Sequence, residues 1–365
     1  MSIAFQPDLV ENFFAVDVAA FTAGLAKLDE QIDSHEVPTR DSRYLALLDL
    51  LDQNRAACRR LEAEIGGSEV TLRETQRRFQ EAISPWFQQS WMMNHALTKP
   101  QGYAGDYQML TTIYEREAKS TGLGGLLDLF FLQTELGRAV PARKDALQDF
   151  LNSEFAAREG EIAVLDVACG PCREFADGVA VPPGRSVQVT FVDYDEDSLA
   201  YAQESLPESN DTLGFHFVRY NALRMQAPAR FIGEHGKFDI VYSVGLCDYL
   251  NDRQLIAMLR GWRGMLRDDG VLYVAFKDMN CYDKTDYQWL VDWFFLERDE
   301  EDCRQLFVDA GYAPGEIAMQ RDETGIIMNF SARQTPARRI DAPHDAVPRS
   351  AADSVQESQT QRLPK

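Results

Sequence analysis

Two short stretches hold the residue types from which a ligand site can be built. The first is Ile162-Ala-Val-Leu-Asp-Val-Ala-Cys-Gly-Pro-Cys172, an apolar run that breaks on a Gly-Pro turn. The second, Val187-Gln-Val-Thr-Phe-Val-Asp193, is another apolar run, and it ends on a carboxylate. A strand, a tight turn, a helix and a second strand tipped with an acid is how a doubly wound sheet holds a nucleoside. The turn brings the backbone close to the ligand, and the acid accepts hydrogen bonds from ribose hydroxyls. Asp193 lies 23 residues beyond Gly170 (193 − 170), close to the spacing of about 20 that such an acid takes. The competing role for Asp193 is to cap the helix that opens near Glu196, for which Asp195 is at least as well placed.

The turn also reads Cys169-Gly-Pro-Cys172, which admits redox chemistry. In a thioredoxin-like domain these residues follow a strand and open a helix, and the spacing depresses one thiol pKa. Such a domain carries a β-α unit before the motif and few strands after it. Here a long helical segment precedes the motif and a series of strand-like runs follows. The pattern favours small, buried cysteines beside a backbone turn. Six cysteines in 365 residues do not make a disulfide framework. The five histidines are scattered, with no pair at ligand spacing, so no metal site is expected.

These stretches need elements to position them. Up to about residue 158 apolar residues recur at helical spacing, as in Phe21, Leu25, Leu28 and Ile32, then Tyr44, Leu47, Leu51, Cys58 and Leu61. A helical bundle over residues 1–158 is the expectation. From about Glu161 short apolar runs alternate with amphipathic ones: Ala163–Val167, Val187–Val192, Gly214–Arg219, Phe238–Ser243 and Gly270–Phe276. This is βαβ logic. Two further runs, Gly315–Gln320 and Gly325–Phe330, close the sheet as an antiparallel pair, for seven strands over residues 159–332. Residues 333–365 are rich in Ala, Pro, Ser, Gln and Arg and predict a disordered tail.

A formal net charge of -21 argues against a general nucleic-acid binder and against adsorption to an anionic membrane. The longest strongly apolar stretch, near Leu123–Leu132, is too short to span a bilayer and contains Asp128. With no basic start in residues 1–15, a cytoplasmic protein is expected. Oligomeric state is not legible.

Asp166-Val-Ala-Cys-Gly-Pro171 resembles the glycine-loop motif of class I S-adenosylmethionine-dependent methyltransferases, in a one-glycine form. Phe191-Val-Asp-Tyr-Asp195 is similar to that family's second-strand motif, Tyr220-Asn-Ala222 to its adenine-contacting turn, and Phe238–Leu246 to its fourth strand and following loop. Arg267-Asp-Asp-Gly270 resembles the turn before its fifth strand. The resemblance implies an α/β, Rossmann-like seven-stranded fold with an N-terminal all-helical domain, and S-adenosyl-L-methionine as cofactor. It implies a cofactor site of Asp166, Ala168, Cys169, Gly170, Pro171, Asp193, Tyr194, Asn221, Ala222, Ser243, Val244 and Gly245.

A narrower resemblance sits in the helical region. Lys99-Pro-Gln-Gly-Tyr-Ala-Gly-Asp-Tyr107 resembles a segment of the bacterial 3-hydroxypalmitic acid methyl ester biosynthesis proteins, as do Tyr242–Leu250 and the Trp293–Arg298 segment. That family has a Tyr where Glu297 stands. The resemblance implies O-methylation of a (3-hydroxy) fatty-acid carboxylate to a methyl ester signal, with Tyr103, Asp106, Tyr107, Tyr249 and Arg298 at the acceptor. Read without the family, the segment is either an interhelical turn or a lid. Phe87, Trp91, Met92, Met93, Phe130 and Phe131 are expected in the bundle core, with a few near residue 91 in an acyl pocket. The other readings are a natural-product O- or N-methyltransferase and a non-catalytic S-adenosylmethionine sensor.

Overall fold

The computed structural model describes residues 7–334; the expected tail lies almost wholly outside them. The first half is helical throughout. A π-helical turn, Phe14–Val18, joins α1 (Pro7–Phe13) to α2 (Ala19–Asp29). There follow α3 (Ser42–Ile65), α4 (Glu69–Phe87), α5 (Trp91–Thr98), α6 (Tyr107–Glu115), α7 (Gly122–Gln133) and α8 (Glu135–Ala157). Side-chain caps set several starts. Asp41 accepts the Arg43 and Tyr44 N–H groups before α3, and Ser90 accepts the Met93 N–H before α5.

Leu9–Asp29, a continuous helical stretch of 21 residues, is long and apolar enough to cross a membrane. It is a longer apolar stretch than Leu123–Leu132, which the sequence suggested as the longest. Its Phe13, Val18, Phe21, Leu25 and Leu28 are buried in the bundle core.

Seven strands follow: β1 (Gly160–Val167), β2 (Arg185–Asp193), β3 (Leu213–Arg219), β4 (Phe238–Val244), β5 (Leu266–Lys277), β6 (Ile317–Arg321) and β7 (Ile327–Arg333). Their order is β3-β2-β1-β4-β5-β7-β6. The first five are mutually parallel, and β7 runs antiparallel to β5 and β6. The helices between them are α9 (Arg173–Ala176), α10 (Glu196–Ser205), α11 (Ala229–His235), α12 (Asp252–Met265), α13 (Lys284–Val291) and α14 (Glu300–Asp309). The sheet is thus the α/β architecture read from the sequence. The strand order, not the chain direction, reverses between β1 and β4, which opens a crevice at the carboxyl ends of the central strands.

The expected turn at Arg267–Gly270 is absorbed into β5, which begins at Leu266. Asp269 takes φ +62°, and the pairing with β4 shifts register beyond Phe238. A single left-handed residue makes a bulge there instead of a turn.

Helical and sheet-bearing sequence share one compact unit. The bundle core also contains Tyr287, Trp289, Leu290 and Val291 of α13, with Trp293, Ile326 and Ile327. Polar ties reinforce this packing. The Trp289 indole N–H donates to Glu62 at 2.5 Å, Gln80 Nε2 donates to the Gln288 carbonyl at 3.1 Å, and Arg55 pairs with Asp286 at 2.6 Å.

Candidate functional site

The turn after β1 is built from three left-handed residues, Ala168 (φ +59°), Gly170 (φ +57°) and Cys172 (φ +50°). For glycine this costs little; for alanine it is an uncommon, strained conformation. The alternation turns successive N–H groups toward the end of β2. There the Gly170 N–H donates to Asp193 Oδ2 at 3.0 Å, and the Asp195 N–H donates to Asp193 Oδ1 at 3.0 Å. Asp195, in turn, caps α10 by accepting the Asp197 N–H. The two roles weighed for these acids fall to different residues, and Asp193 remains directed at the crevice. Burial pushes the Asp193 carboxyl above the usual range, with its backbone donors pulling the other way.

A cavity of about 460 Å³ occupies the crevice. At one end its walls are Ala168, Gly170, Asp193, Tyr194, Asn221, Ala222 and Leu223; Val244 and Gly245 continue them along the end of β4. A Cβ built on Gly170 would meet only Leu110, at 3.6 Å, so the backbone stands open to a ligand. Each Asp193 oxygen holds one backbone donor and keeps a lone pair for a ribose hydroxyl. Eight of the twelve residues expected at the cofactor line this cavity; the other four lie elsewhere. Asp166, Cys169 and Pro171 line a separate cleft of about 30 Å³ behind the turn, and Ser243 is the fourth. Asp166 and Glu174 share that buried space, and burial raises both carboxyls. Tyr242 donates to Glu174 at 2.6 Å. Ser243 is fully buried, its hydroxyl donating to the Val167 carbonyl at 2.9 Å. It ties β4 to β1 and does not reach the cavity.

Cys169 and Cys172 are free, buried thiols. Burial raises both, the reverse of what a redox-active cysteine requires. With Asp166 they could surround a metal ion, contrary to the expectation from histidine spacing alone. Thiols and a carboxyl held this far toward their protonated forms make a poor resting donor set.

The other end of the cavity is walled by the helical region. Leu110, Ile113, Phe131, Leu136 and Val140 face Trp293, Phe295 and Tyr287. Of the side chains suggested for an acyl pocket, only Phe131 lines it. Phe87, Met92, Met93 and Phe130 are in the bundle core, and Trp91 stacks on His95 with ring centroids 4.5 Å apart.

The Lys99–Tyr107 segment is a strap across this cavity. Lys99 Nζ pairs with Asp292 at 2.5 Å. Gly105 lies against Trp293, where a Cβ would come within 2.8 Å of the indole ring. Gln101 donates to Asp197 at 3.1 Å. Tyr103 and Tyr107 line the cavity, as does Tyr249, whose hydroxyl accepts the Trp293 N–H at 2.8 Å. Asp106 does not. It is fully buried, caps α6 through the Met109 N–H at 2.9 Å, and bonds His95 Nε2 at 2.7 Å. Its short side chain, committed to a helix start, positions the strap from behind. Arg298 is also turned away. It pairs with Asp252 at 2.8 Å and donates to the Cys247 and Leu250 carbonyls at 3.2 and 2.5 Å, bracing the loop that carries Tyr249.

Two cations line the cavity: Lys277, which the sequence suggested beside Arg298 as a source of charge at the acceptor, and Arg143, which it did not. Lys277 is ion-paired with Asp248, and burial lowers its pKa. Arg143, on α8, has no such carboxylate among the described residues. Periodicity hides Arg143, since it sits in an otherwise core-facing pattern. A lone Arg on the apolar side of α8, with Leu136, Val140 and Leu147, was the available signal.

Residues 164–270 match the family described as a methyltransferase domain. No curated protein matched the sequence. Among solved structures the chain is similar in fold to a possible exported protein from Bordetella parapertussis (TM-score 0.51, 16% identity, covering 91% of this chain and 100% of that one). It also aligns with magnesium protoporphyrin IX methyltransferase from Synechocystis PCC 6803 with bound SAM (TM-score 0.38, 15% identity, 55% and 84% covered). A third alignment is with the N-methyltransferase NodS from Bradyrhizobium japonicum WM9 (TM-score 0.36, 11% identity, 53% and 97% covered). The domain match, the sheet order and the open turn beside Asp193 make this region an S-adenosylmethionine-dependent methyltransferase domain of Rossmann-like fold.

Proposed function

We propose that the protein methylates the carboxylate of an apolar acid, a 3-hydroxy fatty acid being the acceptor the strap sequence suggests, and releases a methyl ester. One observation carries this reading. Asp193, at the nucleoside end, is the single carboxylate in the cavity wall among the described residues, and no histidine lines it. Asp106 and Asp248, the two acids nearest the acceptor end in sequence terms, are committed to His95 and Lys277. The site therefore offers no free carboxylate and no histidine as a base at the acceptor end among the described residues, and its one lysine, Lys277, is tied to Asp248. A phenol or protonated amine wants a base; a carboxylate, ionised above a pKa of about 4, does not.

The acceptor oxygen forms the new O–CH3 bond while the sulfonium C–S bond breaks, its electron pair staying on sulfur. The protein's part is placement. Holding the reacting atoms in line at about 3 Å supplies on the order of 7–11 kcal/mol. Tyr103, Tyr107 and Tyr249 present phenols whose apolar bodies face a chain and whose hydroxyls orient a head group. Burial raises Tyr103 and Tyr249, so both stay protonated donors at neutral pH.

The test is incubation with isotopically labelled donor and 3-hydroxypalmitate, followed by mass spectrometry. A labelled methyl released by mild alkaline hydrolysis supports the ester. Label in a base-stable linkage, or no S-adenosylhomocysteine formed with any acid, overturns it.

A further inference from the structure

We propose that Arg143 is the anchor for the acceptor's carboxylate. This rests on the acid-methylation reading and names the residue that recognises the head group.

Arg143 is 4% exposed. Its Nε is buried without a hydrogen-bond partner, and no carboxylate pairs with its guanidinium among the described residues. The Tyr114 hydroxyl is its polar neighbour. The other buried cations are compensated: Lys277 by Asp248, Arg298 by Asp252 and two carbonyls. A buried charge left unpaired is costly, and Arg143 lines the cavity. The arrangement is complete only when an anion arrives.

Position separates this anion from the nucleoside. Asp193 ends β2, whereas Arg143 reaches the end of β4, on the far side of β1. Its Nη atoms lie 3.5 Å from where a Gly245 Cβ would sit, and Gly245 itself takes φ +117°. The φ is what calls for glycine there, and the distance places the guanidinium in van der Waals reach of the β4 end. Val140 and Gly137 precede Arg143 at helical spacing and line the same cavity. A carboxylate on the guanidinium fork therefore lays its chain along Val140 toward Leu136 and Phe131. The planar fork also suits a carboxylate better than a point charge does.

The test measures binding of decanoate and 1-decanol to the protein saturated with S-adenosylhomocysteine, in the wild type and in Arg143→Met. The wild type is expected to prefer decanoate at least tenfold, and Arg143→Met to lose that preference while its S-adenosylhomocysteine affinity changes less than twofold. Arg143→Lys, which retains charge but not the fork, should keep part of it and serves if the Met variant does not fold. An unchanged decanoate preference overturns the assignment. So does a loss of S-adenosylhomocysteine affinity with the preference intact, which would give Arg143 to the donor's own carboxylate. If the wild type binds neither probe, the apolar-acid reading falls first and the anchor with it; an ester product that is indifferent to Arg143 sinks the anchor alone.

Discussion

The two ends of the cavity are built by opposite means. The nucleoside end is made by backbone and strand tips close in sequence: a left-handed turn, its N–H on Asp193, and the caps at Asp195 and Asn221. The acceptor end is assembled from α6, α7, α8, the end of β5 and the loop after α13, through side chains far apart in the chain. Local geometry can be specified by a short motif. An assembled wall is specified by packing, so its chemistry varies without disturbing the sheet.

The largest way to break this contrast is at the strap's hidden support. Asp106→Ala removes one partner of a buried pair and the cap of α6, and should cost about 3 kcal/mol of stability in denaturant unfolding. A loss below about 1 kcal/mol would mean the His95 contact does not hold the strap. Next, Asp193→Ala deletes the acceptor of the Gly170 and Asp195 N–H groups together with the ribose partner. S-adenosylhomocysteine affinity should fall about 100-fold by calorimetry, from charged hydrogen bonds of roughly 1.5–3 kcal/mol each. An unchanged dissociation constant would remove the basis for the nucleoside end.

A pH titration sharpens the same point. Because burial raises Asp193, its ionised form is lost as pH falls at a higher pH than for an exposed aspartate. Donor affinity should therefore weaken on acidification from neutrality, beginning above the ordinary carboxylate range, and Asp193→Asn should flatten the profile. The smallest effect is expected from Tyr249→Phe. It frees the Trp293 N–H and should raise the acceptor KM about fivefold, near 1 kcal/mol, with donor affinity unmoved. A change confined to the donor would place Tyr249 at the wrong end.

The contrast also explains what the sequence disclosed. The seven strands, the turn and Asp193 were legible because strand periodicity and a terminal acid are local signals. Ser243 and Arg298 were misplaced because spacing fixes which strand or loop a residue occupies, not which face it presents. Asp106 was read as a group facing the acceptor although it precedes a helix, where an Asp is usually spent on capping. Arg143 escaped notice because nothing near it in the chain marks α8 as a cavity wall. The neighbour that gives it meaning, Gly245, is about a hundred residues away.

The intrusion of α13 into the helical core has a practical corollary for anyone dissecting the molecule. A fragment started at β1 would carry the whole sheet yet leave the greasy flank of α13 bare, with Trp289 and Leu290 stripped of cover. Recombinant expression of that half should give sticky, self-associating material, so the donor-binding sheet is not a portable module that can be lifted out and fitted with a different acceptor wall.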